Sequence, residues 1–176
     1  FRSADAFGPG SWTDPLRWLG LADQKSSVTP HSKSFDDGGY HVLRTDQAMA
    51  VLRYPRFSFR PSQADAMHVD LWHRGTNLLR DAGTFSYNAK GAEWFSSTAV
   101  TAAAGYLDAQ GAQHHRVIML TNRGLICTDT ISGAFKNACL RWRLAPGDWR
   151  LNGAVLSSEH CAISIEIDGK PVTPTL

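Results

Sequence analysis

Apolar residues in this chain recur at every second position and almost nowhere at helical spacing. Ile163, Ile165 and Ile167 alternate with Ser164 and Glu166, and Leu140, Trp142 and Leu144 alternate with Arg141 and Arg143. Met67, Val69 and Leu71 alternate with His68, Asp70 and Trp72. A period of two places such residues on opposite faces of an extended strand, so each run buries one face and exposes the other. Turn residues punctuate the runs. Thr45-Asp46-Gln47 separates Tyr40–Arg44 from Ala48–Arg53, and Gly75-Thr76-Asn77 precedes the returning Leu78-Leu79-Arg80-Asp81. Thr121-Asn122-Arg123-Gly124 separates 116–120 from 125–130, and Asp168-Gly169 follows Ile167. These are hairpin signals. No helical period of apolar residues persists beyond about two turns. The expected fold is therefore all-β, an antiparallel β-sandwich. One short helix is expected over 14–20, with Asp14 as N-cap, Pro15 at the first helical position and Gly20 as the left-handed terminus.

Composition narrows the class without touching the chemistry. A chain of 176 residues, 43% hydrophobic and 19% charged, can bury a core without metal or disulfide staples. With 18 Lys+Arg against 16 Asp+Glu the formal net charge is +2, so nothing marks a dedicated nucleic-acid binder. No apolar run approaches the roughly 20 residues of a membrane span. Cys127, Cys139 and Cys161 are widely spaced and sit in apolar runs, which predicts buried free thiols. Residues 1–34 read as a leading segment, with a polar stretch over 22–33, and 35–176 as the sandwich. The chain begins at Phe1 without a signal-peptide pattern, and we read it as a piece of a larger protein.

Residues that could carry chemistry are densest between Arg53 and Tyr87. Asp65, His68, Asp70 and His73 are of metal-ligating type, but strand geometry turns His73 away from His68 and Asp70, and a solvated polar face explains them equally. Arginine supplies 13 of the 18 basic residues, and Arg53, Arg56 and Arg60 lie close together. Their guanidinium forks would suit a carboxylate or sulfate, or simply a charged surface. Trp72, Trp94 and Trp142 would suit stacking on sugar rings or filling a core. The stretch 81–88 leaves a strand through small residues into an aromatic and hydroxyl-rich loop, where sandwich sites are commonly built. There is no G-x-S-x-G, no phosphate-binding loop and no H-E-x-x-H.

Phe35-Asp36-Asp37-Gly38-Gly39-Tyr40-His41-Val42-Leu43-Arg44 resembles the opening of the C-terminal β-sandwich domain in heparinase II/III-like proteins. The stretches 60–72, 75–84 and 96–100 follow in matching order, and 114–117 and 125–129 resemble the family's later strands. The resemblance runs from about Phe35 to Ile167. It implies a polysaccharide lyase built from an N-terminal α/α toroid and a C-terminal sandwich, periplasmic or extracellular. Such an enzyme cleaves an acidic, uronic-acid-containing glycan by β-elimination.

By the same resemblance the catalytic residues belong mainly to the toroid, so no catalytic residue is assigned in this chain. Arg60, Gln63, Asp65, Trp72 and Tyr87, together with Asp81, would line the sandwich side of the cleft. The family's zinc-bearing members carry His at the places of Pro61, the catalytic one, and Gln63, a zinc ligand, and Asp81 stands at the place of the zinc-binding Asp. Gln63 is a poor zinc ligand. The His-Asn-Thr motif expected after the Ser-Thr-Ala run is absent, and a stretch after Val100 is missing relative to the family pattern. The partners implied are an acidic polysaccharide and an N-terminal toroid of the same protein. The alternative is a non-catalytic glycan-binding or exopolysaccharide-assembly module that has lost lyase chemistry.

Overall fold

The computed structural model describes residues 14, 18–20, 30–54, 66–81, 94–108 and 110–175. Of the helix expected over 14–20, residues 15–17 fall outside them. Among the described residues fifteen strands follow one another: β1 (Lys33–Phe35), β2 (Tyr40–Arg44), β3 (Ala48–Arg53), β4 (Val69–His73), β5 (Thr76–Arg80), β6 (Trp94–Ser97), β7 (Thr101–Leu107) and β8 (Ala112–Thr121). Then come β9 (Gly124–Gly133), β10 (Arg143–Leu144), β11 (Arg150–Asn152), β12 (Val155–Ser157), β13 (Ala162–Ser164), β14 (Glu166–Ile167) and β15 (Lys170–Pro171).

The strands pair antiparallel into a six-stranded sheet ordered β1-β2-β3-β4-β5-β10 and a four-stranded sheet ordered β6-β7-β8-β9. Two small sheets, β11-β12-β13 and β14-β15, complete the chain. The two large sheets face each other across one core. Leu43, Ala50, Leu52 and Val69 come from the first, with Tyr54 and Met67 beside it, and Ala102, Ala104, Ile118 and Leu120 come from the second. Each set occupies alternate positions, so the period-two pattern translates directly into inward and outward faces. Small alanines on β7 let that strand lie close under the opposite sheet.

Three local features shape the connections. In the turn 36–39 the Gly38 and Gly39 N–H groups bond the Phe35 and Asp36 carbonyls, and Gly39 leaves the turn at φ +68°, a left-handed position that favours glycine. A β-bulge lies between Leu71 and Trp72 in the β4–β5 pair. β6 and β7 are joined directly through Thr98, whose N–H bonds the Thr101 carbonyl at 2.8 Å.

Some expectations need correction. Cys139 is exposed, and Cys127 and Cys161 are only partly buried, although all three are free thiols. The alternation over 140–144 yields only the two-residue β10, because the rest of that run lies outside the ladder with β5. The strand 101–107 carries no period-two signal in the sequence, since alanine-rich runs have little strand propensity.

Candidate functional site at one end of the sandwich

Register gathers one group of connections at one end of the six-stranded sheet. Tyr40, which opens β2, pairs with Arg53, which closes β3; Leu52 pairs with Val69, which opens β4; and Arg80, which closes β5, pairs with Arg143 of β10. The turn 36–39, the stems on either side of 55–65 and the stem that leads into 82–93 therefore emerge together. Those two segments carry most of the sequence-predicted site. Placing variable segments on a rigid sheet end is how sandwiches commonly build sites.

The stems flanking 55–65 are tied down from three directions. Backbone hydrogen bonds run from Arg53 N to the His68 carbonyl at 2.9 Å and from Met67 N to the Arg53 carbonyl at 2.8 Å. Tyr54 is fully buried, stacks on His41 with ring centroids 4.1 Å apart, and donates from its hydroxyl to Asp36 Oδ1 at 2.5 Å. Its N–H bonds the Gly39 carbonyl at 2.8 Å, so the glycine-rich turn holds the incoming stem. On the outgoing stem Met67 is buried at φ +68°, an uncommon conformation for a residue with a side chain.

Arg116 secures that strained residue. It reaches across from β8, only 7% exposed, and donates from Nη1 to the Met67 carbonyl at 2.7 Å. Its Nε and Nη2 hold both oxygens of Asp129 on β9 at 2.7 Å each, a bidentate pair. The ladder sets this up by placing Arg116 directly opposite Asp129. Trp142 covers the guanidinium, whose carbon lies 4.9 Å from a Trp142 ring centroid. His114 Nε2 lies 2.7 Å from Asp129 Oδ1, and Tyr106 meets the His114 ring edge-on.

Electrostatics follow the geometry. Burial alone would raise the Asp129 pKa, but hydrogen bonds from His114 and Arg116, with the charge of Arg116, outweigh it and hold the carboxyl at about 2. Burial likewise works against the Arg116 charge, and Asp129 more than compensates. Burial pushes the Cys127 thiol up to about 11 and raises the Tyr106 phenol, and it lowers the His41 imidazole against the pull of Asp36.

Of the sequence-predicted site residues, Arg60, Gln63, Asp65 and Tyr87 lie outside the described residues. Asp81 is exposed at the end of β5, where its carbonyl lies 3.4 Å from Arg143 Nη1. Trp72 is 37% exposed on the outward face of β4, one pairing step beyond Leu71. It stands nearer the opposite end of the sheet, about 10 Å along the strands from Asp81. The His68–Asp70–His73 run does not converge: Asp70 Oδ1 accepts a 2.6 Å hydrogen bond from Asn77, and His73 shares the inward face with Val69 and Leu71. Among the described residues no three His, Cys, Asp or Glu side chains form a metal-binding group. The Arg116–Asp129 pair was missed as a unit. Its residues stood out in the sequence only as two strand segments, and the register that joins them is not visible there.

A cleft of about 260 Å³ opens at the lateral edge between the sheets, lined by Ser34, His41, Ser97 and Thr98 among others. Inside it Ser34 Oγ lies 2.7 Å from His41 Nδ1 and 2.6 Å from Ser97 Oγ, a short polar chain linking β1, β2 and β6.

Comparison with known proteins adds one positive finding. Residues 27–104 match the family model described as Heparinase II/III-like, C-terminal. The matched segment contains the turn 36–39, both tied stems, β6 and the first part of β7, and stops before Arg116 and Asp129. No curated protein and no solved structure matches the chain.

Proposed function

With residues 27–104 matching the C-terminal domain of heparinase II/III-like proteins, we propose that this chain is the sandwich part of a polysaccharide lyase. The substrate is an acidic, uronic-acid-containing glycan, cleaved by β-elimination. A base removes the proton at C5, an acid protonates the departing 4-oxygen, and a cationic or hydrogen-bonding surface offsets the carboxylate charge that builds up in the transition state. The base and acid belong to an N-terminal α/α toroid of the same protein. The sandwich offers its end to the glycan: Arg53, Arg80 and Arg143 flank the stems there, and Arg60 and Gln63 lie on the segment those stems deliver. Arginine forks suit a uronate, and the Gln63 amide suits a sugar hydroxyl.

The family match carries this reading. Full-length protein incubated with uronic-acid polysaccharides should generate ultraviolet absorbance from the unsaturated uronate product. No absorbance across heparan-, alginate- and exopolysaccharide-type substrates would count against catalysis.

One feature favours a second reading, a glycan-binding or exopolysaccharide-assembly module without lyase chemistry. Pro61 and Gln63 occupy places where zinc-bearing relatives have histidine. That reading predicts retention on an acidic glycan with no unsaturated product.

A further inference from the structure

The outward face of the six-stranded sheet is built unlike an ordinary solvated strand face. Register places Phe35, Tyr40 and Arg53 side by side on β1, β2 and β3. A second row joins Lys33, Val42, Val51 and Asp70, and a third joins Arg44, Met49 and Trp72. All these positions alternate with the buried ones, so they share one face. Three aromatics on it stay open to solvent: Phe35 at 49%, Tyr40 at 37% and Trp72 at 37%. Cations accompany them. Lys33 Nζ lies 5.2 Å from the Phe35 ring centroid, and the Arg53 guanidinium carbon lies 5.9 Å from that of Tyr40. The single acidic side chain in these rows, Asp70, is held by Asn77 at 2.6 Å.

The opposite outer face is the internal contrast. On β7, β8 and β9 it carries Ala103, His115, Val117, Met119, Ile126 and Thr128, with no Phe, Tyr, Trp, Lys or Arg at the outward positions of these three strands. Rows of exposed aromatics beside cations thus distinguish β1 to β4 from the described outward positions of β7, β8 and β9. The rows holding Tyr40 and Trp72 are four residues apart along the strands, about 13 Å, the span of a short oligosaccharide. Contiguous exposed apolar surface on a soluble domain marks a binding surface. Three cations against one engaged carboxylate set the charge of its ligand.

We propose that this outward face is a docking surface for an acidic polysaccharide, running from the row of Tyr40 and Arg53 at the loop end to the row of Trp72 towards the opposite end of the sheet. Phe35, Tyr40 and Trp72 stack on the apolar faces of sugar rings, and Lys33, Arg44 and Arg53 pair with carboxylate or sulfate groups. The proposal rests on the reading that the protein handles acidic glycans, but not on its cleaving them. A chain held here is retained near the loop end through the same rigid sheet, which raises its local concentration there.

The test is affinity electrophoresis of the full-length protein in gels containing sodium alginate, sodium heparan sulfate or neutral dextran. Trp72→Ala, the pair Lys33→Ala with Arg44→Ala, and the opposite-face control Ile126→Ala are run beside the unmodified protein, with circular dichroism confirming the fold of each. Retardation by at least one acidic polymer but not by dextran is expected. Trp72→Ala should weaken the apparent affinity roughly 3- to 10-fold, the scale of one aromatic stacking contact. Trp72→Phe should restore most of it. The double charge variant should weaken binding and flatten its salt dependence, while Ile126→Ala should change nothing. Equal retardation by dextran, no retardation by either acidic polymer, or unchanged affinity in both face variants would overturn the proposal. Cleavage with unchanged face variants would leave the lyase reading standing and remove this one. Binding through Trp72 without unsaturated product would do the reverse.

Discussion

Replacing Arg116 with methionine keeps most of the side-chain length and removes the charge and all three hydrogen bonds. The Asp129 carboxylate then loses its bidentate partner, and the carbonyl of Met67, already at φ +68°, loses its donor. Removing one partner of a buried pair costs about 3–5 kcal/mol, mostly through the charge left behind. Asp129 is 20% exposed and keeps His114 at 2.7 Å, which places the cost near the lower end, about 3 kcal/mol. In a domain of this size that lowers Tm by roughly 6–12 °C. Asp129→Asn should cost somewhat less, because the amide oxygen still accepts from the guanidinium. In the double variant Arg116→Met with Asp129→Leu neither charge is stranded, so its loss should fall well short of the sum of the single losses.

The same pair fixes a pH dependence. The folded Asp129 carboxyl is held at about 2, below its unfolded value, so the stabilisation is fully present above about pH 4 and is lost as pH falls towards 2. A carboxylate shifted that far contributes on the order of 2 kcal/mol. Urea denaturation followed by circular dichroism, at pH 7 and again near pH 3, measures both effects. The unmodified protein should lose part of its stability on acidification, and Asp129→Asn should lose less. An Arg116→Met variant with an unchanged urea midpoint, or a double variant as unstable as the summed singles, would refute the reasoning.

Two further outcomes follow from single contacts. Tyr54→Phe keeps the stack on His41 but deletes the hydroxyl bond to Asp36, and should cost about 1 kcal/mol, read as a lower Tm in calorimetry. Iodoacetamide near pH 8 should label exposed Cys139 rapidly and Cys127 slowly, because the Cys127 thiol titrates at about 11; mass spectrometry of the labelled peptides measures the ratio.

Sequence periodicity revealed strand pairs whose turns are short and whose residues are branched or aromatic. Tyr40–Arg44 and Ala48–Arg53 were delimited as they occur, and the 121–124 turn joins β8 and β9 as expected. β7 was hidden because Ala102 and Ala104 owe their burial to the opposite sheet and carry no strand preference of their own. The alternation around Trp142 was legible, but its destination was not: the indole covers Arg116. The resemblance, which runs from about Phe35 to Ile167, is matched by the family model over residues 27–104, and within that segment the role of Gly39 follows from its turn geometry. The support beneath the site was illegible for a different reason. Arg116 meets Met67 across 49 positions of sequence and Asp129 across 13, and only register brings the three together.

The proposed function is that this sandwich serves a lyase that cleaves uronic-acid glycans. Its most direct test is the ultraviolet absorbance of unsaturated uronate when the full-length protein is mixed with acidic polysaccharides. The account predicts absorbance that rises with time on at least one of them and stays flat on a neutral dextran. Retention of the acidic polymers with no rise on any of them would contradict it and leave a binding module in its place.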